Sequence, residues 1–450
     1  MLKHFSLYYL GSFLFSFLLL SSCSRSGPGS LFKKSSPHQV YSQKLIETGL
    51  DQTGMGKLWL KNSEMSLEKP VSITVPYTET GYFAVENVHV ASYRFEAKKG
   101  EKLTIQLKKV PKNDFTIFMD LFTNASGEQI KLLVYADTIG SPIIYEVSET
   151  GFYILRLQPE LLKSGQYTLK IIRGPSLAYP IKAPGKNHIK SFWGDGRDAG
   201  LRKHEGVDLF SSYKTPVVAS ANGTVFRVNE TNIGGKVVWL RPLQKNYSLY
   251  YAHLDTQLVV AGQIVKEGDT LGLMGNTGNA RSTPPHLHFG IYGFGGALDP
   301  FPFINPYSKE PDKITALPAN LNATLRIKTD NTNLYSSFDR KTALQELPEN
   351  TLLKVDAVSS NMYKVQLPDG VIGYVNSQFV SAVSKPIKTL TLRSELPLFE
   401  KPDTSEAKKF ILDSGQPVYV LGNFQNFYFV RDKIKRTGWI MKSEKLKTIY

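Results

Sequence analysis

Histidine and aspartate residues between positions 204 and 288 have the types and the spacing expected of a metal site. His204 and Asp208 are four residues apart, and His286 and His288 are two apart. Because side chains at i, i+2 and i+4 of a β-strand share one face, we expect each pair to point the same way, with Gly206 leaving room between the first two. Eight histidines placed at random in 450 residues would give on the order of 0.1 His-x-His pairs. Chance therefore does not explain this pattern.

Two imidazoles and one carboxylate form a nitrogen and oxygen ligand set that suits Zn²⁺. Three protein ligands leave the fourth coordination position to water, which distinguishes a catalytic zinc site from a structural one. With His204, Asp208 and one histidine of the 286/288 pair on the metal, the other histidine and His253 remain free for proton transfer or charge stabilisation. The residues by themselves thus predict metal-assisted hydrolysis.

These fragments and the segments around them resemble the LytM or lysostaphin-type zinc peptidase domain of family M23. The resemblance covers about residues 188 to 308, and its motifs are RKHEGVDL (202–209), TPVVA (215–219), ANGTV (221–225), YAHL (251–254), GNTG (275–278) and HLHF (286–289). It implies a zinc endopeptidase that hydrolyses peptide bonds in peptidoglycan, either in cross-links or in stem peptides.

The same resemblance implies a role for each polar residue of the motifs. His204, Asp208 and His288 hold the zinc ion, and His253 and His286 are the catalytic pair, either of which could act as the base. None of the five residues is replaced, whereas some relatives have lost ligands and activate other enzymes. A catalytically silent amidase activator or wall-binding protein is therefore the alternative function, and hydrolysis of an exported protein is a third.

Two departures from the family pattern bear on the shape of the substrate groove. Gly290 stands where an acidic residue usually follows the HLHF motif, and the segment 281–285 (RSTPP) replaces a shorter turn. Neither departure touches a predicted ligand, so we expect the chemistry to be kept. The bond that is cleaved stays open.

The amino terminus has the pattern of an export signal. A basic opening is followed by an apolar run from Phe5 to Leu20, which is too short to span a bilayer comfortably. The residues Leu-Ser-Ser-Cys that end at Cys23 resemble a bacterial lipobox, and Cys23 is the only cysteine. We expect residues 1–22 to be a lipoprotein signal peptide, Cys23 to be lipidated and residues 23–45 to be a flexible tether. A plain cleaved secretion signal is the alternative.

Short alternating runs of Val, Ile, Thr, Tyr and Phe predict a mainly β fold in several domains. Residues 46–175 are predicted to form a β-sandwich that resembles the jelly-roll domains of secreted peptidases. We expect this sandwich to act as a spacer or packing module; binding of a carbohydrate or a protein is the alternative. Residues 186–308 form the predicted peptidase domain, which we also expect to be mainly β.

A repeat with an offset of 64 or 65 residues follows. The sequence Gly373-Tyr374-Val375 matches Gly438-Trp439-Ile440, and Leu347 to Val355 matches Leu412 to Val420. The two copies, residues 322–383 (repeat 1) and 387–450 (repeat 2), resemble bacterial SH3-like small barrels, which in cell-wall enzymes often bind the wall.

The charge balance favours an anionic environment. The chain has 54 Lys and Arg against 39 Asp and Glu, a net charge of +15, which attracts acidic polymers and membrane surfaces. The export signal argues against nucleic acid. We expect peptidoglycan peptides as the substrate, a membrane contact through the lipid anchor, and a location in the cell envelope, on the periplasmic side of the outer membrane if the cell has one. Partners from cell division or among amidases stay open.

Overall fold

A computed structural model of the chain describes residues 35–123, 129–182, 188–197 and 200–449. Strands hold 48% of the residues and helices 11%, which confirms the predicted mainly β fold class. The predicted signal peptide, Cys23 and the first part of the predicted tether lie outside the described residues. No helix within these ranges has the length and the apolar character needed to cross a membrane.

Helices precede the first strand, where the sequence predicts a tether followed directly by a sandwich. They span, in order, Pro37–Glu47 (α1), Leu50–Gln52 (a 3₁₀ turn) and Gly54–Glu68 (α2). Helix α1 begins at a capping box: Ser36 Oγ accepts from the Gln39 amide, and Gln39 Oε1 accepts from the Ser36 amide. Residues 37–45 therefore belong to a helix, and the prediction that they are part of a flexible tether is wrong.

Buried aromatic contacts attach these helices to the domain that follows. The Trp59 side chain of α2 is 1% exposed, and its Nε1 donates to the carbonyl of Pro159 at 2.8 Å. His38 of α1 stacks on the Trp59 ring with centroids 4.8 Å apart, and its Nε2 lies 2.7 Å from Gln158 Oε1. The helices are thus a packed part of the amino-terminal domain.

The amino-terminal domain is a two-layered β-sandwich. Its strands are β1 (Val71–Ser72), β2 (Tyr77–Phe83), β3 (Ala91–Ala97), β4 (Glu101–Val110), β5 (Ile117–Thr123), β6 (Lys131–Tyr135), β7 (Ile143–Glu146), β8 (Gly151–Pro159) and β9 (Gly165–Pro175). One layer has the order β1-β3-β8-β5-β6, and the other has the order β2-β9-β4-β7. Alternate residues such as Tyr93, Phe95 and Ala97 point into the core between the layers.

The central domain is built on one large antiparallel sheet. Its strands are β10 (Ile189–Ser191), β11 (Gly196–Arg197), β12 (Arg202–Lys203), β13 (Val207–Phe210), β14 (Pro216–Val218), β15 (Gly223–Thr231), β16 (Gly235–Pro242), β17 (Tyr247–Gln257), β18 (Ile264–Val265), β19 (Thr270–Met274), β20 (His286–Gly293) and β21 (Gly296–Leu298). A 3₁₀ turn at Gly278–Ala280 and helix α3 (Phe301–Ile304) complete it. The main path through the sheet is β10-β13-β20-β17-β16-β15-β18.

Alternation along β13 and β20 separates an apolar face from a polar face. Leu209, Leu287 and Phe289 are fully buried in the core of the central domain. Because successive side chains of a strand point to opposite faces, Asp208 and His288 lie on the face away from that core. The sheet thus positions both residues on a rigid surface.

Repeats 1 and 2 have the same seven-strand plan. Repeat 1 contains β22 (Thr324–Ile327), β23 (Thr332–Tyr335), β24 (Ala343–Leu347), β25 (Leu352–Ser359), β26 (Met362–Gln366), β27 (Ile372–Asn376) and β28 (Val380–Ala382). Repeat 2 contains β29 (Lys388–Leu392), β30 (Leu396–Phe399), β31 (Lys408–Leu412), β32 (Pro417–Phe424), β33 (Phe427–Arg431), β34 (Thr437–Met441) and β35 (Leu446–Ile449). The 3₁₀ turns Pro318–Asn320 and Ser377–Phe379 flank the strands of repeat 1. Their SH3-like character stays a prediction.

One strand pairing joins two modules that the sequence presents as separate. Strand β25 of repeat 1 pairs with β2 of the sandwich, so the two modules share a single 11-stranded sheet. The chain therefore leaves the sandwich at β9, passes through the central domain, and returns to the sandwich. The pairing joins residues nearly 280 positions apart, and local patterns give no sign of it.

Candidate metal centre and active site

Strand register brings two of the predicted ligands side by side. In the antiparallel pair of β13 and β20, Asp208 is directly opposite His288. On the other side of β20, strand β17 pairs Ala252 with His288, which places the next residue, His253, beside the same position. Three of the five predicted site residues thus converge through backbone pairing alone.

His204 reaches the site from a loop and not from the strand that the spacing predicts. Strand β12 ends at Lys203, and β13 begins only at Val207. The His204 amide donates to the carbonyl of Asp195 at 2.8 Å, and the Gly194 amide donates to the carbonyl of His204 at 2.9 Å. These bonds hold His204 against the preceding turn, so its backbone leaves the sheet while its side chain stays close to Asp208.

Gly206 allows this loop to approach the sheet. A Cβ at this position would lie 2.6 Å from His288 Cε1 and 2.7 Å from His288 Nε2, which is closer than any side-chain carbon tolerates. The sequence predicts that Gly206 leaves room for an ion between two ligands. The room that it leaves is occupied by the His288 ring.

Three ligand atoms meet at one point. His204 Nε2 lies 2.9 Å from His288 Nδ1 and 3.0 Å from Asp208 Oδ1, and His288 Nδ1 lies 3.0 Å from Asp208 Oδ1. Four-coordinate zinc, with ligand atoms about 2.0–2.2 Å away, separates those atoms by roughly 3.3 Å. Such a group of one carboxylate and two imidazole nitrogens could hold a metal ion.

The protonation of the two imidazoles suits a metal ligand. His204 Nδ1 lies 2.8 Å from the carbonyl of Phe192, which can only accept a hydrogen bond, so Nδ1 carries the proton and Nε2 is free to bind metal. Burial lowers the pKa of His288, which favours the neutral ring. Metal binding requires neutral histidines, so the burial of His288 and the tautomer of His204 both suit a metal site.

Asp208 is held from its far side by a basic residue. Arg197 Nη2 donates to Asp208 Oδ2 at 2.8 Å, and the same nitrogen donates to Ser191 Oγ at 2.6 Å. Burial acts to raise the pKa of Asp208, but the contacts of Oδ1 with the imidazoles of His204 and His288 outweigh it and hold that pKa well below its usual value. The carboxylate is therefore charged and fixed, with Oδ1 facing the two imidazoles.

His253 and His286, the predicted catalytic pair, lie next to each other. Their ring centroids are 5.0 Å apart. His253 Nδ1 lies 2.9 Å from the carbonyl of Thr277, and His286 Nδ1 lies 2.9 Å from the carbonyl of Pro284. Both rings thus carry a proton on Nδ1 and keep Nε2 as an acceptor.

The surroundings of the pair fix its protonation and orientation. Burial, followed by the neighbouring imidazoles of His286 and His288, lowers the pKa of His253 to about 4. His286 stacks on the ring of Phe210 with centroids 4.8 Å apart. His253 is therefore neutral at pH 7 and able to accept a proton.

All five residues line one groove of about 940 Å³. Its other walls include an aromatic cluster in which the rings of Trp239, Tyr250 and Tyr292 are 4.4 to 5.9 Å apart. Within the described ranges, every lining residue lies between Ser191 and Tyr292 of the central domain. No described residue of the sandwich or of the repeats lines it.

The first departure from the family pattern has a structural consequence. A Cβ at Gly290 would lie 2.9 Å from Cε2 of Tyr292, so the glycine makes space for that ring beside the groove. The second departure, residues 281–285, supplies Thr283 to the groove wall and leads into His286. Both departures thus alter the groove without displacing a ligand.

Sequence reasoning missed the groups that orient the site. The carbonyls of Phe192, Thr277 and Pro284 fix three histidine rings, and backbone groups carry no sequence signal of their own. Arg197 does carry one, since it is a basic residue in a glycine-rich segment just before the first ligand, but it lies outside the motifs from which the site is predicted.

Comparison with known proteins agrees with this site. Residues 202–300 match the description of Peptidase family M23. An L-Ala–D-Glu endopeptidase of Bacillus subtilis is 33% identical over 144 residues, which cover 29% of this chain and 44% of that protein. A metalloprotease of Haemophilus influenzae is 45% identical over 162 residues, which cover 36% of this chain and 32% of that protein. The peptidoglycan DD-endopeptidase ShyC of Vibrio cholerae is 36% identical over 89 residues, which cover 20% of each chain. The chain spans less than half the length of each of these curated relatives.

Proposed function

Since residues 202–300 form a domain of peptidase family M23, we propose that the chain is a zinc-dependent endopeptidase that hydrolyses peptide bonds in peptidoglycan. One observation carries the proposal. His204, Asp208 and His288 bring three ligand atoms within 3.0 Å of one another in the groove that also holds His253 and His286.

In this proposal His204, Asp208 and His288 hold the metal, and Arg197 keeps Asp208 in place. A bound zinc ion supplies a Lewis acid that polarises the scissile carbonyl and lowers the pKa of water from 15.7 to about 7. Three protein ligands leave a position for substrate or water, as catalysis requires. The other steps fall to residues of the chain.

His253 and His286 perform the proton transfers. Each ring is anchored through Nδ1 and presents Nε2 as an acceptor, so either can take the proton of the attacking water. The ring that takes this proton returns it to the leaving amine, and the other ring, when protonated, donates a hydrogen bond to the developing oxyanion. The 5.0 Å between the ring centroids lets both act on one scissile bond.

The substrate class rests on the relatives, and the bond is left to experiment. The two peptidoglycan-type relatives are named for different bonds, L-Ala–D-Glu in one and a DD bond in the other. We therefore assign cross-links or stem peptides as the class. Tyr292 and the segment 281–285 are the features of this groove from which selectivity between them is expected.

We further propose that Cys23 is lipidated and anchors the mature protein to a membrane, on the periplasmic face of the outer membrane in a cell that has one. The apolar run before Cys23 and the lipobox-like Leu-Ser-Ser-Cys support this. Fractionation of cells that express Cys23→Ala tests it. The variant is expected in the soluble envelope fraction, and its retention in membranes would contradict a lipid anchor.

Mass analysis of muropeptides released from purified sacculi tests the catalytic proposal. The purified protein is expected to release peptides with new termini, to stop after chelation, and to recover when zinc is restored. His89→Ala, which changes a histidine of the sandwich, is the matched control and keeps activity. Metal analysis that finds no zinc, or release that survives chelation and His286→Ala, contradicts the assignment and favours the silent activator or wall-binding protein.

A further inference from the structure

Strands β25 and β32 occupy equivalent positions in the two repeats, with an offset of 65 residues. Strand β25 is longer than its neighbour β22, and β32 is longer than its neighbour β29. Strand β22 pairs with β25 only at Leu352–Lys354, and β29 pairs with β32 only at Pro417–Val420. The second half of each strand therefore has an edge that its own repeat does not cover. Uncovered edges invite pairing with another segment.

In repeat 1 this edge is covered by the sandwich. Ala357 pairs with Gly81 of β2, and Val358 pairs with Thr80. Ser359 Oγ donates to the carbonyl of Thr78 at 2.7 Å, which continues the contact by one residue. The sandwich thus adds a strand to repeat 1.

In repeat 2 the equivalent edge is covered by repeat 1. The Asn423 amide donates to the carbonyl of Asn350 at 2.8 Å, and Asn423 also forms a parallel bridge with Thr351. A Cβ at Gly422 would lie 2.5 Å from Leu352 Cγ, so the two backbones approach as closely as glycine permits. Asn423 and Gly422 are the counterparts of Val358 and Ala357.

A bulge in each strand prepares this edge. The register of β25 shifts between Val355 and Ala357, and that of β32 shifts between Val420 and Gly422, at the same offset of 65. A bulge bends a strand and re-aims the residues after it. Both repeats thus turn the same half-strand outward, repeat 1 onto the sandwich and repeat 2 onto repeat 1.

The side chains beside the edge are equivalent in position but differ in chemistry. In repeat 1, Tyr374 is fully buried with its hydroxyl 3.2 Å from that of Tyr77, and Lys364 Nζ lies 3.3 Å from the hydroxyl of Tyr93. Glu79 at the centre of this group is 0% exposed and accepts from three tyrosine hydroxyls.

The counterparts of Tyr374 and Lys364 in repeat 2 are Trp439 and Phe429. Trp439 is buried in the core of repeat 1 rather than in the core of repeat 2, and Phe429 packs against it. One contact is thus a buried polar network and the other is apolar. If the two repeats exchanged places, Lys364 would be buried without the Tyr93 hydroxyl that it contacts. The side chains beside the edge therefore specify the order of the repeats.

We propose that this half-strand and its flanking residues are a docking surface, which repeat 1 uses to bind the sandwich and repeat 2 uses to bind repeat 1. The sandwich, repeat 1 and repeat 2 then form a column that is joined twice through equivalent half-strands, by antiparallel pairing at the first joint and by a parallel bridge at the second. This surface is consumed within the chain, so it is not a wall-binding site, and the repeats serve as a scaffold. The inference does not depend on the catalytic proposal.

The column also contacts the central domain at the point where the chain enters that domain and at the point where the chain leaves it. At the entrance, the Ser176 amide donates to the carbonyl of Gly100, and the Leu177 amide donates to the carbonyl of Phe303. At the exit, Phe303 lies so close to Gly100 that a Cβ there would meet its ring, and Glu310 pairs with Lys170 at 2.6 Å. A rigid column therefore fixes the direction in which the groove opens.

Hydrogen exchange of the full chain tests the docking between the repeats. Gly422→Val places a side chain against Leu352, and its backbone is outside the left-handed region, so valine suits the strand itself. We expect exchange at 350–352 and 422–424 to rise about tenfold or more, while Val430 in the core of repeat 2 stays protected. Thr391→Val in β29, whose backbone pairs within repeat 2, is the control and changes neither.

A second variant acts from the other side of the contact. Arg326 of repeat 1 donates from Nη1 to the carbonyls of Leu421 and Lys385, so Arg326→Met is expected to loosen residues 422–424 while Val430 in the core of repeat 2 stays protected. Soluble peptidoglycan fragments provide the competing ligand. They are expected to leave exchange at 357–359 and 422–424 unchanged. Fragments that raise exchange there, or variants that leave the contact protected, would overturn the docking assignment.

Discussion

Arg197 Nη2 lies 2.8 Å from Asp208 Oδ2, while Oδ1 of the same carboxylate lies 3.0 Å from His204 Nε2 and from His288 Nδ1. The guanidinium thus holds one carboxylate oxygen and leaves the other for the metal. Such outer partners orient ligands, and their loss typically lowers metal affinity 10–100-fold. The geometry makes Arg197 a positioning residue for the predicted zinc site.

We expect Arg197→Gln to weaken zinc binding by about 10–100-fold, measured by competition with a chelator of known affinity. Arg197→Lys should recover only part of the loss, because the lysine nitrogen ends one bond short of Nη2, the single nitrogen that contacts both Ser191 and Asp208. Arg241→Gln changes an exposed arginine of β16 and serves as the control. Equal zinc affinity in the wild type and in Arg197→Gln would remove Arg197 from this role.

Substitution of single histidines should separate metal binding from proton transfer. His253→Ala and His286→Ala are expected to keep stoichiometric zinc and to lower kcat/KM by about 10²–10⁴, the usual contribution of general acid–base catalysis. His204→Ala removes a ligand and is expected to lose zinc and activity together. Elemental analysis and muropeptide release, measured on the same samples, distinguish the two classes. Loss of zinc from His286→Ala would mean that the HLHF histidines exchange roles.

The sequence predicts the site better than it predicts the way the modules are joined. Asp208 and His288 meet because period-2 alternation and strand pairing are local rules that motifs reflect. Local patterns do not predict helix α1, because its buried residues are His38 and Leu45 and it has no continuous apolar stripe. They do not predict the pairing of β2 with β25 either, because an edge contact between distant segments is made by backbone groups, which are the same in every sequence.

A buried histidine of α1 links stability to pH. Burial, followed by the charge of Arg156, lowers the pKa of His38 from 6.5 to about 3. Between these values the unfolded chain binds a proton that the folded chain does not. The stability that depends on a neutral His38 is therefore fully present above pH 6.5 and is lost as the pH falls towards about 3. Over this range the free energy of unfolding falls by about 1.4 kcal/mol per pH unit.

Replacing His38 should flatten this dependence. His38→Gln keeps a polar side chain near Gln158 but does not titrate, so its free energy of unfolding should change less between pH 6 and pH 4 than that of the wild type. Denaturant unfolding followed by tryptophan fluorescence measures the difference. Val40→Ala, which changes an exposed residue of the same helix, is the control and should keep the pH profile of the wild type. Parallel pH profiles for the wild type and His38→Gln would show that the His38 ring is not the group that titrates.

A methyl group at position 206 should disturb both the predicted metal site and the strand beside it. The Cβ of Gly206→Ala would lie 2.6 Å from His288 Cε1, so either the His204 loop or the His288 ring must move by several tenths of an ångström. Gly206 is outside the left-handed region of φ, so alanine brings no strain of its own backbone, but its Cβ would also lie 2.7 Å from the carbonyl oxygen of Phe289 in β20, and the melting temperature should fall as well. Zinc affinity should fall with activity. Gly295→Ala is the matched control, since its Cβ would meet nothing within 4 Å and its backbone is equally permissive. If both alanine variants bound zinc as tightly as the wild type, the contact between the His204 loop and the His288 ring would not be what sets the metal geometry.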